Sequence, residues 1–278
     1  MIIDTHLHLI DQATLRYPWL AGVPALNRDF SYAEYATDAQ RCGIEAVLHM
    51  EVDVDPADIA AETAYVKSLA SRPGSLLKGA IASCRPEDAG FEAYLETVKA
   101  EPFVKGFRRV LHVVPDDLSE GAQFRQNIKR LASTGLSFDL VVLPHQIPKA
   151  IALADLAPDV QFVLDHCGVP DIKANAEHPW REHMEAIARR SNVTAKISGV
   201  VAYAETTWTV DTLRPYIEHT IRCFGWDRVI WGSDWPVCTL GGGLTTWIAA
   251  THALLAGSSD SERTRLLSGN ARRLWGLE

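Results

Sequence analysis

The sequence predicts a single-domain α/β protein, residues 1–278, whose parallel strands close into a (β/α)8 TIM barrel. Three observations carry that expectation. Short apolar runs alternate with helical stretches roughly eight times, which implies a parallel sheet with helical crossovers. A length of 278 residues suits one such barrel. No composition break or low-complexity linker divides the chain, and the competing doubly wound sheet lacks both a GxGxxG turn and a Walker A sequence.

The first strand is the apolar opening Met1-Ile2-Ile3-Asp4-Thr5-His6-Leu7-His8-Leu9. A long connection over 9–30 follows, and then a helix over 31–42 that Gly43 terminates in a left-handed cap. Ile44-Glu45-Ala46-Val47-Leu48-His49-Met50 reads as the second strand. A helix over 56–71 stops at Pro73-Gly74, and 76–82 is the third strand. The pattern continues with a helix at 88–100, a strand at 103–111, a helix at 120–134 and a strand at 136–143. It then gives a helix at 147–156, a strand at 160–166, a helix at 179–191 and a strand at 193–198. A helix at 209–224 leads to the eighth strand at 228–234, and helical sequence runs to the end, with Asn270 as N-cap of a helix over 271–275.

Composition narrows the function classes. Hydrophobic content of 47% with 22% charged residues fits an ordinary soluble protein. A net charge of −8 argues against nucleic acid, which requires a basic footprint. No apolar run reaches the ~18 residues of a membrane span, and the N-terminus lacks the basic region of a signal peptide. The five cysteines are scattered without a CxxC pair and read as reduced thiols in a cytoplasmic protein. Homo-oligomerisation is left open.

The chemistry gathers at strand ends. Side chains alternate along a strand, so a regular first strand puts Asp4, His6 and His8 on one face and Ile3, Thr5 and Leu7 on the other. His6 and His8 end strand one, His166 ends strand six and Asp234 ends strand eight. Barrel active sites form at that rim. Histidines with a carboxylate and an open position suit one divalent ion, zinc or similar, with His6, His8, His166 and Asp234 as its ligands or close neighbours. Taken singly, His166 is more often a satisfied core histidine, and Asp234 could be a helix cap. The four together point to a site.

The HxH end of strand one, Val163-Leu164-Asp165-His166 and Gly232-Ser233-Asp234-Trp235-Pro236 resemble the amidohydrolase superfamily. The likeness is closer to its amidohydrolase-related lactonase branch of sugar-lactone and 2-pyrone-4,6-dicarboxylate lactonases. Tyr17-Pro18-Trp19-Leu20, the stretch from Val104 through Gly106 to Arg109, Phe138-Asp139-Leu140 and Gly269-Asn270-Ala271-Arg272-Arg273-Leu274 carry it nearly end to end. Metal-rich members have a histidine at the end of strand five. Here Asp139 stands in that strand, His145 comes later in the loop, and Lys105 lies too early in strand four for a bridging carbamate. The resemblance therefore implies at most one ion, and the branch also includes enzymes that work without metal.

What the resemblance implies is a lactonase that opens a sugar (aldono- or uronate-derived) lactone in carbohydrate catabolism. Asp234 would act as general base, with His166 as the second catalytic residue. Arg108, in a Gly-x-Arg pattern, is expected to hold a substrate carboxylate or hydroxyl, against the alternative of a rim ion pair. Tyr17, Trp19 and Trp235 are candidates for an aromatic wall, against ordinary packing beneath a loop, and His112 and His145 are weaker rim candidates. His49, His178, His183, His219 and His252 read as core or solvated. Competing functions are a metal-dependent decarboxylase of aromatic or muconate-type acids on the same scaffold, a TatD-type deoxyribonuclease, which the charge disfavours, and a non-catalytic barrel.

Overall fold

Strand–helix alternation builds the expected barrel, and the computed structural model describes residues 1–277. The strands are β1 (Ile2–Leu7), β2 (Ile44–Met50), β3 (Leu77–Ser83), β4 (Val104–Val110), β5 (Ser137–Val141), β6 (Phe162–Leu164), β7 (Val193–Ile197) and β8 (Val229–Trp231). They pair in parallel in chain order. Closure comes from the segment after β8, where the Asp234 amide donates to His6 O at 2.9 Å and the His8 amide to Trp235 O at 2.7 Å.

Helices α1 (Tyr32–Arg41), α2 (Ile59–Ala70), α3 (Phe91–Val98), α4 (Ala122–Lys129), α5 (Ile147–Leu156), α6 (Trp180–Ile187), α7 (Val210–Phe224) and α8 (Leu244–Leu254) form the outer ring. Local sequence sets their ends. Ser31 caps α1 by accepting from the Glu34 amide, and Gly43, at φ 74°, turns the chain into β2. Thr209 caps α7 by accepting from the Thr212 amide.

Apolar residues fall into layers. A large cluster fills the space between sheet and helices, with Leu7, Val47, Phe107, Phe138, Phe162 and Trp231 among its members. A smaller one, with Ile3, Ala46, Leu48, Met50, Ile81, Val163 and Ile230, packs against Trp275 and Leu277 near the strand starts. The chain reaches that end through α9 (Asp260–Thr264), a π-type turn over Arg265–Gly269 and α10 (Asn270–Trp275). The Trp275 indole N–H donates to Ser137 Oγ at 3.1 Å, so α10 stops one end of the barrel and leaves the strand C-termini as its mouth.

Four expectations change. Asn270 caps nothing. It lies inside helical backbone, and its amide donates to the carbonyls of Trp226 and Val229 at 2.7 Å each, tying the C-terminal helix to β8. Strands six and eight stop at Leu164 and Trp231 rather than at His166 and Asp234. The backbone turns left-handed there, with φ of 54° at His166 and 57° at Asp234. The connection over 9–30 is not a simple loop. It holds short helical turns at Pro18–Gly22 and Pro24–Leu26, and Ile10 and Phe30 pair across its base.

The fourth change concerns β1. Between Asp4 and Leu7 its pairing with β2 slips, three residues of β1 spanning two of β2, which is a bulge. Ile3 packs with the inner cluster and Leu7 with the outer one. Asp4 therefore does not share a face with His6 and His8. It reaches outward, accepting from the Tyr35 hydroxyl of α1 at 2.7 Å, while both histidines turn inward. No helix among the described residues is long and apolar enough to cross a membrane, and the five cysteines are unpaired thiols.

Candidate active site

The bulge in β1 is held by Asp4. Its Oδ1 accepts from the His6 amide at 3.0 Å and from the Ser233 amide at 2.7 Å, fastening β1 to the turn that carries Asp234. His6, His8 and Asp234 are thereby brought together at the floor of the mouth, each almost wholly buried. His6 Nε2 and His8 Nε2 stand 3.2 Å apart. Asp234 Oδ1 lies 3.6 Å from the first and 3.4 Å from the second.

Tautomers follow from the partners. His8 Nδ1 lies 3.0 Å from Met50 O. A carbonyl only accepts, so Nδ1 carries the proton and Nε2 presents a lone pair. Asp165 Oδ1 lies 3.6 Å from His6 Nδ1, and a carboxylate only accepts, so a proton on Nδ1 leaves Nε2 as a lone pair too. Two lone-pair nitrogens and a carboxylate oxygen thus face one point. Ligands about 2.0–2.1 Å from a tetrahedral ion sit about 3.3–3.4 Å from each other. The observed spacings match, so these three residues could hold a divalent ion.

His166 stands slightly apart from this set. Its Nδ1 is 2.9 Å from Ser198 Oγ and 3.9 Å from Asp234 Oδ2, and it groups instead with His6 and Asp165 as a second possible ligand set. Gly199, at φ 68°, permits the arrangement, because a Cβ there would lie 2.5 Å from His166 Nδ1 and 3.1 Å from Asp234 Oδ2.

Beneath the histidines lies a buried ionic layer. Lys196 Nζ is 2.7 Å from Asp139 Oδ2 and 2.8 Å from Asp165 Oδ1. Arg108 Nε donates to Glu51 Oε1 at 2.6 Å, its Nη2 to Glu51 O at 2.8 Å, and its Nη1 lies 3.4 Å from Asp165 Oδ2. Burial alone would raise the Asp165 carboxyl, but Lys196 and His6 outweigh it and hold it well below the usual range. Burial wins at Asp139, which is pushed up to about 7 despite Lys196. His6 is kept well below its ordinary value, first by burial and then by the Lys196 charge, and burial also lowers His166.

Above this floor opens a cavity of about 400 Å³. Trp19, His112, Arg108, His8, His166 and Asp234 line it. Tyr17, Trp235 and His145 do not. The Tyr17 hydroxyl is occupied with the Asp11 amide and Leu9 O beneath the loop, and Trp235 packs against Phe30 and Tyr35. His145 is exposed and paired with Asp116 at 3.0 Å. Arg108 lines the cavity with most of its donors directed at Glu51, Asp165 and His6.

A family model described as "Amidohydrolase" matches residues 3–277. The chain belongs to the amidohydrolase family. The protein y4mH of Sinorhizobium fredii, described as uncharacterized, is 32% identical over 97% of this chain and 96% of its own. An L-fucono-1,5-lactonase of Burkholderia ambifaria is 27% identical over 86% of this chain and 82% of that protein. A crystal structure of an amidohydrolase from Burkholderia multivorans with bound zinc superposes with a TM-score of 0.89 at 24% identity, all of both chains being covered, and shares the fold.

For this amidohydrolase, sequence reasoning missed Lys196, Glu51, Ser198 and Tyr203. A lysine inside the apolar seventh strand, Val193-Thr194-Ala195-Lys196-Ile197, is an out-of-place charge that could have been noticed. It is the buried lysine at the barrel centre, whereas Lys105 sits half-buried near the start of β4. Glu51, one residue past β2, carried the same signal.

Proposed function

We propose that this amidohydrolase opens a lactone ring by directing a water at the ring carbonyl, with Asp234 as general base. One observation carries the reading: Asp234 meets the lone pairs of His6 and His8 on the floor of a cavity large enough for a small ring. The lactonase among its relatives supports the same reaction class.

Asp234 offers two oxygens with different surroundings. Oδ1 faces His6 and His8, and Oδ2 faces His166. Oδ2 would take a proton from the attacking water as its oxygen bonds to the carbonyl carbon. The acyl–oxygen bond then breaks, the proton passes from Asp234 to the departing ring oxygen, and the product is a hydroxy acid. His166, held by Ser198, would orient Oδ2. Arg108 Nη1, beside His6 Nε2, would place positive charge near the oxygen on which negative charge develops. Glu51 and Asp165 keep that guanidinium fixed, so little reorganisation is needed. A divalent ion, zinc or similar, held by His6, His8 and Asp234 would add Lewis acidity and a more acidic water. The zinc-bound fold relative supports that assignment, and the site also has hydrogen-bond donors of its own.

Asp234→Asn tests the base. Turnover of lactones by the variant is expected to fall by at least about 10³-fold, within the range ascribed to general-base catalysis, with an unchanged circular dichroism spectrum. Near-normal turnover would remove Asp234 from the role. Metal analysis of the wild-type preparation is expected to give about one divalent ion per chain. Silence on every lactone, with carbon dioxide release from hydroxybenzoates, would replace the lactonase reading by a decarboxylase.

A further inference from the structure

Resting on the lactonase reading, we propose that the substrate is a lactone with an apolar substituent and few hydroxyls, rather than a polyhydroxylated sugar lactone. The walls of the cavity carry the argument. Above the floor they are formed largely by aliphatic side chains such as Val23, Leu26, Val52 and Val141, and among the described residues no Ser, Thr, Asn, Gln, Lys or Glu lines it. The polar groups that do are mostly committed. The Trp19 indole N–H donates to Val52 O at 2.8 Å. Asp53 pairs with Arg85 at 3.1 Å, and Arg108 is bound to Glu51. Beyond the reacting floor, His112, Tyr203 and Asp53 Oδ2 remain to read hydroxyls.

An aldonolactone presents a hydroxyl on nearly every ring carbon, each needing a partner once taken out of water. Three such groups cannot satisfy both the donor and the acceptor side of every hydroxyl. An alkyl or similar substituent needs none, and such walls reward it.

A second observation comes from the surface. Among the described residues only three large hydrophobic side chains are exposed: Met1, Val113 at 65% and Leu240 at 38%. Met1 is the chain start. Val113 and Leu240 both line this cavity. They follow β4 and β8, on opposite sides of the eight-strand order, and extend the apolar wall outward to solvent. Both flank the opening of the same cavity, where they continue the path that a ring substituent would take from the floor.

Initial rates, corrected for spontaneous hydrolysis with the Asp234→Asn protein as blank, are to be compared across three kinds of lactone. These are the unsubstituted γ-butyrolactone and δ-valerolactone, the alkyl-bearing γ- and δ-decalactone, and L-fucono-1,5-lactone with L-rhamnono-1,4-lactone. Each methylene entering the wall is expected to gain roughly threefold to fourfold in kcat/KM, so the better decalactone should exceed both other kinds by at least tenfold. The Val113→Ser/Leu240→Ser protein should lose that advantage through KM, at least fivefold more for the decalactone than for the unsubstituted ring. A preference for the sugar lactones, or no gain from the tail, overturns this inference while leaving the lactonase reading in place. If no lactone is hydrolysed above the blank, the lactonase reading fails and this inference with it.

Discussion

Lys196 shows what one residue does at the floor of this site. It is fully buried between Asp139 and Asp165, and among the described residues no other lysine or arginine contacts Asp139. Lys196→Met keeps volume but strands buried Asp139 without its counter-charge and leaves Asp165 with Arg108 alone. The expected loss is about 3–5 kcal/mol of stability, read as a lower denaturation midpoint in urea with an unchanged m-value. His112 adds a pH signature. Burial, then the charges of Arg108 and His166, lower it from an ordinary 6.5 to about 4, and its Nδ1 is buried without a partner. The folded state therefore resists protonation that the unfolded chain accepts. This contribution is complete above pH ~6.5, declines as pH falls and levels off below about 4. The thermal midpoint of His112→Gln should fall less steeply than that of the wild type between pH 6.5 and 4, and parallel curves would contradict the assignment. At this scale the sequence disclosed the polar groups next to apolar runs, His6, His8, His166 and Asp234. It did not disclose their partners, because Glu51, Asp139, Asp165 and Lys196 meet only after four different strands close into a ring.

Among the elements, β1 matters most to the site. A regular strand would have sent Asp4 inward with the histidines. The bulge reverses Asp4 and sets it as a clamp that accepts from three donors, the His6 amide, the Ser233 amide and the Tyr35 hydroxyl, and the turn bearing Asp234 is positioned through Ser233. Asp4→Ala leaves buried donors unpaired, at a cost of at least about 2 kcal/mol, and loosens His6 against Asp234. Turnover should fall together with stability, whereas Asp4→Asn, which retains an acceptor oxygen, should recover part of both. An Asp4→Ala protein of wild-type stability would contradict the clamp. The bulge was not legible because Ile3-Asp4-Thr5-His6 reads as regular alternation, and a slip in pairing with β2 leaves no mark within one segment. The early ends of β6 and β8 were equally hidden. Apolar periodicity cannot register a left-handed turn at His166 or Asp234, both non-glycine residues in a conformation that glycine usually fills.

For the whole molecule, the order of strands and helices was readable from periodicity and turn residues, since each β/α unit is local. Closure of the ring followed from the number of repeats in this length, whereas the plug at its far end was not legible. Asn270 looked like a helix cap from its neighbours, and only the folded barrel brings Trp226 and Val229 within its reach. The cavity above the floor is a property of the assembled mouth, drawn from loops after several strands, and no single segment announces its apolar walls. These scales meet in one claim, that a water under the control of Asp234 attacks a lactone carbonyl. Turnover in H₂¹⁸O, followed by mass spectrometry of the hydroxy acid, tests it most directly. One ¹⁸O is expected in the product carboxylate and none in the hydroxyl released from the ring. Label in that hydroxyl, or loss of carbon dioxide in place of ring opening, would contradict it.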